Sequence, residues 1–136
     1  KYLELFQLRR AAYCAAGQYW CFYRSAIDLN LSNKEIPIYK SPVASDMFYK
    51  TVKKGYKTHY TASKYDLIFW KRKRDYRGHV ERIISVLERG WVITVGFNTS
   101  KVIGGDRKEG VFYQKRNIYH PIGRKLILGI IGFKEK

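Results

Sequence analysis

The sequence predicts an α+β domain in which N-terminal helices pack on a C-terminal antiparallel β-sheet. Three observations predict it. Before residue 55 the apolar residues recur at helical spacing between helix start and stop signals. From residue 56 onward, short β-branched and aromatic runs alternate with basic or Gly-containing turns. The third is bulk: 136 residues with 46% hydrophobic and 16% aromatic content suffice for one real core and are too few for two ordinary domains. Residues 1–136 are therefore read as one domain, and helices followed by strands indicate α+β rather than alternating βαβ.

The first helix is expected over residues 14 to 28. Ala15, Tyr19, Phe22 and Ala26 recur at spacings of four, three and four, and Ala16, Trp20, Tyr23 and Ile27 form a neighbouring apolar stripe, so the helix should be largely buried. Gly17 costs this helix on the order of 1 kcal/mol relative to Ala. Its use implies close approach of another backbone, as from a sheet crossing the helix. A polar linker, "NLSNKEIPIYK", leads to "SPVASDMFYKTVKKG". In that second helix Ser41 is expected as N-cap, Pro42 at the first helical position and Gly55 as terminator, with Val43, Met47, Phe48 and Val52 on one apolar face. Met47 reads as packing.

The strands are expected in "DLIFW", "HVERIISVL", "WVITVGF", "GVFYQ" and "KLILGIIGF". "LERGW" around Gly90 has the composition of a tight hairpin turn. The segment "NTSKVIGGDRKEG" reads as a long Gly-rich loop. No apolar run reaches the length of a membrane span.

Lys and Arg number 27 against 11 Asp and Glu, a net charge of +16. Such a field draws anions: nucleic acid, acidic headgroups or anionic cell-wall polymers. The chain opens on Lys1, which leaves room for a processed leader upstream.

Only two cysteines are present, without the close Cys and His pairs of a zinc site, so no metal and no cofactor are expected. Seven helical residues separate Cys14 from Cys21 by roughly 10 Å, beyond the ~7 Å reach of a disulfide. Cys21 lies within the second turn of a buried helix and reads as core. Cys14 sits where the helix begins, and there the positive end of the helix dipole favours a thiolate. Of the histidines, His59 and His120 lie beside turns and read as structural. His79 opens a strand after Gly78 and the charged turn "KRKRDYR", in a position to face a cleft.

Together "YCAAGQYWC", "YDLIFWKRKRDYRGHVERIISV", "WVITVGFNTS" and "RKEGVFYQKR" resemble the CHAP domain, the papain-like NlpC/P60-type cysteine amidases and endopeptidases that cut bacterial peptidoglycan. The resemblance runs over nearly the whole chain. It implies a papain-like fold with Cys14 as nucleophile, His79 as base and Asn98 as the polar residue orienting the imidazole. Many members carry a glutamate two residues before that asparagine, where this chain has Gly96. Glu81 lies two residues after His79 and on a strand would share its face. It either supplies the missing carboxylate or is a solvated surface charge, and the second is the commoner state of a glutamate. Gln18, one helical turn beyond Cys14, reads as a polar residue at a helix edge.

The resemblance thus implies a cysteine hydrolase of peptidoglycan, an N-acetylmuramoyl-L-alanine amidase or an endopeptidase, acting from a phage virion, as a lysin, or as a secreted or periplasmic enzyme. Its partners would be peptidoglycan and, through the basic surface, anionic wall polymers. The alternative is an inactive CHAP-like module that binds cell wall or serves as a virion part, which the loss of the glutamate at Gly96 favours. A nucleic-acid binder using "KRKRDYR" ranks last, because no recognition motif accompanies the charge.

Overall fold

Helix α1 spans Cys14–Asp28 and buries Ala15, Ala16, Tyr19 and Ala26, with Phe22 half-buried beside them. It ends where Asn30 takes a left-handed φ of 57°, Leu31 N–H bonds Ala26 O at 2.8 Å and Asn30 N–H bonds Ile27 O at 3.0 Å. That pairing is the Schellman ending, with Asn in the role usual for Gly. The computed structural model describes residues 14–103 and 105–133, apart from the side chains of 98–103 and 106–109. Two details of α1 differ from expectation. Ile27 is exposed, and Cys21 is half-buried beside Arg82 rather than enclosed in core.

Helix α2 spans Ala44–Lys53, later than Ser41 and Pro42 predict. Its N-cap is Val43, which makes no side-chain cap bond. The Ser41 hydroxyl instead accepts the Val43 N–H at 3.1 Å, closing a turn ahead of the helix. Gly55, at φ 108°, stops the helix as its position predicts. Met47 and Phe48 are buried against the sheet, and Phe48 meets Phe69 edge-on at 5.1 Å.

The sheet is antiparallel and six-stranded: β1 (Thr58–His59), β2 (Leu67–Arg72), β3 (Gly78–Val86), β4 (Trp91–Ile103), β5 (Asp106–Asn117) and β6 (Lys125–Ile131), in the order β1-β6-β2-β3-β4-β5. Strand alternation gives it two apolar faces. Leu67, Phe69, Val80 and Ile131 pack under the helices with Tyr19 and Met47. Ile68, Trp70, Ile83, Val92 and Ile130 form the opposite cluster with Ile118. The β3–β4 connection is the tight turn expected at Gly90: Arg89 and Gly90 have φ of 58° and 81°, and Trp91 N–H returns to Glu88 O at 3.1 Å. Two positive φ values match the twist of the hairpin.

The expected loop over residues 98–110 is instead mostly strand. The β4–β5 ladder continues from Thr99–Gly110 to Ile103–Asp106, and Gly105, at φ 86°, lies in the turn. Every further residue pair adds ladder hydrogen bonds, and the β-branched Thr99, Val102 and Ile103 suit a strand better than a loop. The described β3–β4 ladder, by contrast, ends at Glu81–Gly96. β4 therefore leaves β3 just before Val80 and His79, and α1 comes in against this stretch. A Cβ on Gly17 would lie 2.2 Å from the Phe97 ring of β4. The close approach that Gly17 permits is to an aromatic ring, not to a backbone. Gln18 is buried, and its Nε2 donates to Val95 O at 3.0 Å, tying α1 to β4.

Candidate active site

Cys14 is the first residue of α1 and is 5% exposed. His79, 7% exposed, stands near the start of β3, with its imidazole beside the Cys14 thiol. The helix start thus meets the strand where β4 has left it, and two residues 65 positions apart in sequence come together. The backbone N–H groups of Val80 and Ala15 add further hydrogen bonds to the sulfur.

The other side of the ring is held by Glu81. His79 Nε2 and Glu81 Oε2 are 2.6 Å apart. A carboxylate only accepts, so Nε2 carries the proton and Nδ1 is left for the thiol. Glu81 is fully buried. Its Oε1 accepts from Thr94 Oγ1 at 2.6 Å and Arg116 Nε at 2.9 Å, and its Oε2 accepts from Arg116 Nη2 at 2.8 Å as well as from His79. Four donors thus occupy the roughly four acceptor sites of one carboxylate, two of them from a forked guanidinium. The Arg116 guanidinium in turn lies 5.9 Å from the centroid of Trp70.

Burial alone would push the Cys14 thiol up; the His79 hydrogen bond and charge, with the N–H groups of Val80 and Ala15, outweigh it and hold the thiol below its ordinary value. Burial would likewise lower His79, yet bonding to Cys14 and Glu81 raises it to about 9. Glu81, which burial alone would raise, is brought to about 2 by Arg116 and His79. The three shifts run in one direction, each favouring the charged form: thiolate, imidazolium and carboxylate in line, with Arg116 balancing the second negative charge.

The structure brings Cys14 and His79 together, as the motif resemblance implies. Asn98 falls in β4, but its side chain lies outside the described residues; the group bonded to the imidazole is Glu81. The reading of Glu81 as a solvated charge is overturned by its burial and its four donors. Sequence reasoning missed Thr94 and Arg116. Their signal is conditional: a buried glutamate requires a cation, but only the β3–β4–β5 register says which of 27 basic residues arrives. His120 packs edge-on to Trp91 at 5.5 Å, and its carbonyl accepts from Trp70 Nε1 at 3.2 Å, so its contacts are those of a packing residue. Among the described residues no helix is long and apolar enough to cross a membrane.

No family model, curated protein or solved structure matches this chain.

Proposed function

We propose that the protein is a papain-like cysteine hydrolase that cuts amide bonds of bacterial peptidoglycan. The observation that carries the reading is the buried line Cys14–His79–Glu81, with its carboxylate pinned by Arg116. Nucleophile, base and orienting group are the parts a thiol hydrolase needs.

In this reading the Cys14 thiolate attacks the amide carbonyl carbon, a C–S bond forms, and the carbonyl π pair moves onto oxygen. In this reading the backbone N–H of Cys14 receives that oxyanion. As the tetrahedral centre collapses, the C–N bond breaks and the leaving nitrogen takes the proton from His79 Nδ1. His79, now neutral, accepts a proton from water, whose oxygen attacks the thioester. Collapse releases the carboxylic acid product and restores the thiolate beside the imidazolium. Glu81 does not exchange protons in this cycle, since its value near 2 keeps it ionised throughout.

Peptidoglycan as the substrate rests on the motif resemblance and on the +16 charge, which favours encounter with an anionic wall. The test is mass spectrometry of soluble material released from isolated peptidoglycan by the protein and by its Cys14→Ala variant. Fragments from the parent protein alone support the reading, and their masses identify the bond. Absence of fragments from both, across walls of several cross-link types, would replace it with the non-catalytic wall-binding reading.

A further inference from the structure

A second feature lies at the same end of the sheet as His79. The β2–β3 turn and the turn before β6 enclose a notch of about 470 Å³, lined by Arg72, Lys73, Arg74, Asp75 and Arg124. Its volume falls within the range of small-ligand sites, about 300–1,000 Å³. Four cations face one carboxylate, and that carboxylate is engaged in building the turn. Asp75 Oδ1 accepts the Arg77 N–H at 2.8 Å, and Oδ2 meets Arg72 Nη1 at 3.5 Å.

The notch is held in shape from below. Arg72 N–H bonds Arg77 O at 2.8 Å, closing the turn, and the Ser45 hydroxyl at the start of α2 donates to Tyr76 O at 2.8 Å. Arg72 pairs with Lys125 across the β2–β6 ladder, which places Arg124 beside the turn. The register also relates the notch to the thiol site. Trp70 is the ladder partner of His79, and Arg72 follows Trp70 by two residues on the same face. At ~3.3 Å per residue, Arg72 stands about 7 Å along the strand from the level of His79.

We propose that this notch is a subsite for the phosphodiester groups of an anionic polymer attached to the wall substrate. Three guanidinium groups and an ammonium converging on one cavity suit a tetrahedral, multiply accepting phosphate better than a planar carboxylate, which a single guanidinium fork satisfies. The lining side chains are cationic apart from Asp75 and none is aromatic, which favours a polymer read through its phosphates; exposed Tyr76 follows Asp75 in the same turn, so the oligonucleotide comparator is the decisive one. That the polymer belongs to a wall substrate rests on the hydrolase reading; the affinity of the notch for a phosphodiester chain does not.

The test uses the full chain carrying Cys14→Ala, so that binding is read without turnover. Poly(glycerol phosphate) is titrated against it by calorimetry, with polyglutamate and a single-stranded oligonucleotide of equal charge as comparators. Replacing Arg74 and Arg124 by Gln should weaken poly(glycerol phosphate) binding about tenfold or more and flatten its salt dependence. Removing the same charge elsewhere, with Lys53→Gln and Lys57→Gln on exposed positions, should change binding less than about twofold. Equal losses from the two pairs would overturn the proposal, because the charge would then act diffusely. So would equal affinity for polyglutamate or for the oligonucleotide. Matching thermal transitions of the two double variants establish that the notch variant is folded. In the active protein the notch pair should raise KM more on walls bearing the polymer than on walls stripped of it. If no wall is cut at all, the hydrolase reading fails, while the calorimetry still decides the notch.

Discussion

Glu81 stands directly across the β3–β4 ladder from Gly96, and its carboxylate bonds the imidazole of His79. Paired positions on adjacent strands share a face, with Cβ atoms about 5 Å apart. A carboxylate expected two residues before Asn98 on β4 is thus supplied from the neighbouring strand at the same level of the sheet. Moving it back is a direct test. Glu81→Ala should nearly abolish hydrolysis, and adding Gly96→Glu to it should restore a measurable part of kcat, since Gly96 is not among the glycines with positive φ. Recovery assayed on isolated wall checks this.

Glu81→Gln keeps the shape and removes the charge. It leaves Arg116 facing a neutral amide in a buried setting and withdraws the partner of the imidazolium. We expect kcat to fall roughly 10²–10⁴-fold with KM little changed. The same substitution should lower stability by about 3–5 kcal/mol, the range for breaking a buried ion pair from one side. Steady-state kinetics and urea unfolding measure the two effects separately. Arg116→Lys, which keeps the charge and loses the fork, should fall between the parent and Arg116→Gln in kcat.

How much of this was legible in the sequence follows from what each feature depends on. The end of α1 and the Gly90 turn follow from local signals, helical periodicity and turn chemistry, whereas the pairing of Cys14 with a strand-borne His79 was expected from the motif resemblance. The Thr94, Glu81 and Arg116 cluster depends on register across three strands, which no local signal fixes. Glu81 in particular reads as solvent-facing by composition, and only its pairing with His79 and Arg116 makes its burial tolerable. The extension of β4 and β5 was hidden for a related reason. Glycines at 104 and 105 mark a turn but not its length, and the flanking residues join the strands because each finds a partner.

The pH dependence of stability has a definite sign. Glu81 lies at about 2 in the folded state against 4.5 ordinarily, so its contribution is present above 4.5 and is lost as pH falls through 2. By linkage that shift corresponds to about 3 kcal/mol. His79, raised from 6.5 to about 9, contributes stability present below 6.5 and lost as pH rises through 9. The lowered Cys14 thiol has the opposite sign, because its folded form releases a proton that the unfolded chain retains. The two therefore act against one another as pH rises, the lost His79 contribution being opposed by that of Cys14. Urea midpoints across the acid range should fall for the parent protein and much less for Glu81→Gln.

Gly17 sets two magnitudes against each other. Alanine would favour the helix by about 1 kcal/mol, but its Cβ would lie 2.2 Å from the Phe97 ring. Overpacking of this kind costs about 1–3 kcal/mol. The net result of Gly17→Ala should be destabilisation, relieved when Phe97→Leu is added. Thermal denaturation of the single and double variants checks the sign.

The most direct test of the central claim is the ultraviolet absorbance of the thiolate, followed against pH as the difference between the parent protein and Cys14→Ala. This reads the buried sulfur without requiring a reagent to reach it. The account predicts that Cys14 ionises below the ordinary thiol range and that the ionisation moves upward in Glu81→Gln. Ionisation of Cys14 only in the ordinary range, unmoved by Glu81→Gln, would contradict it.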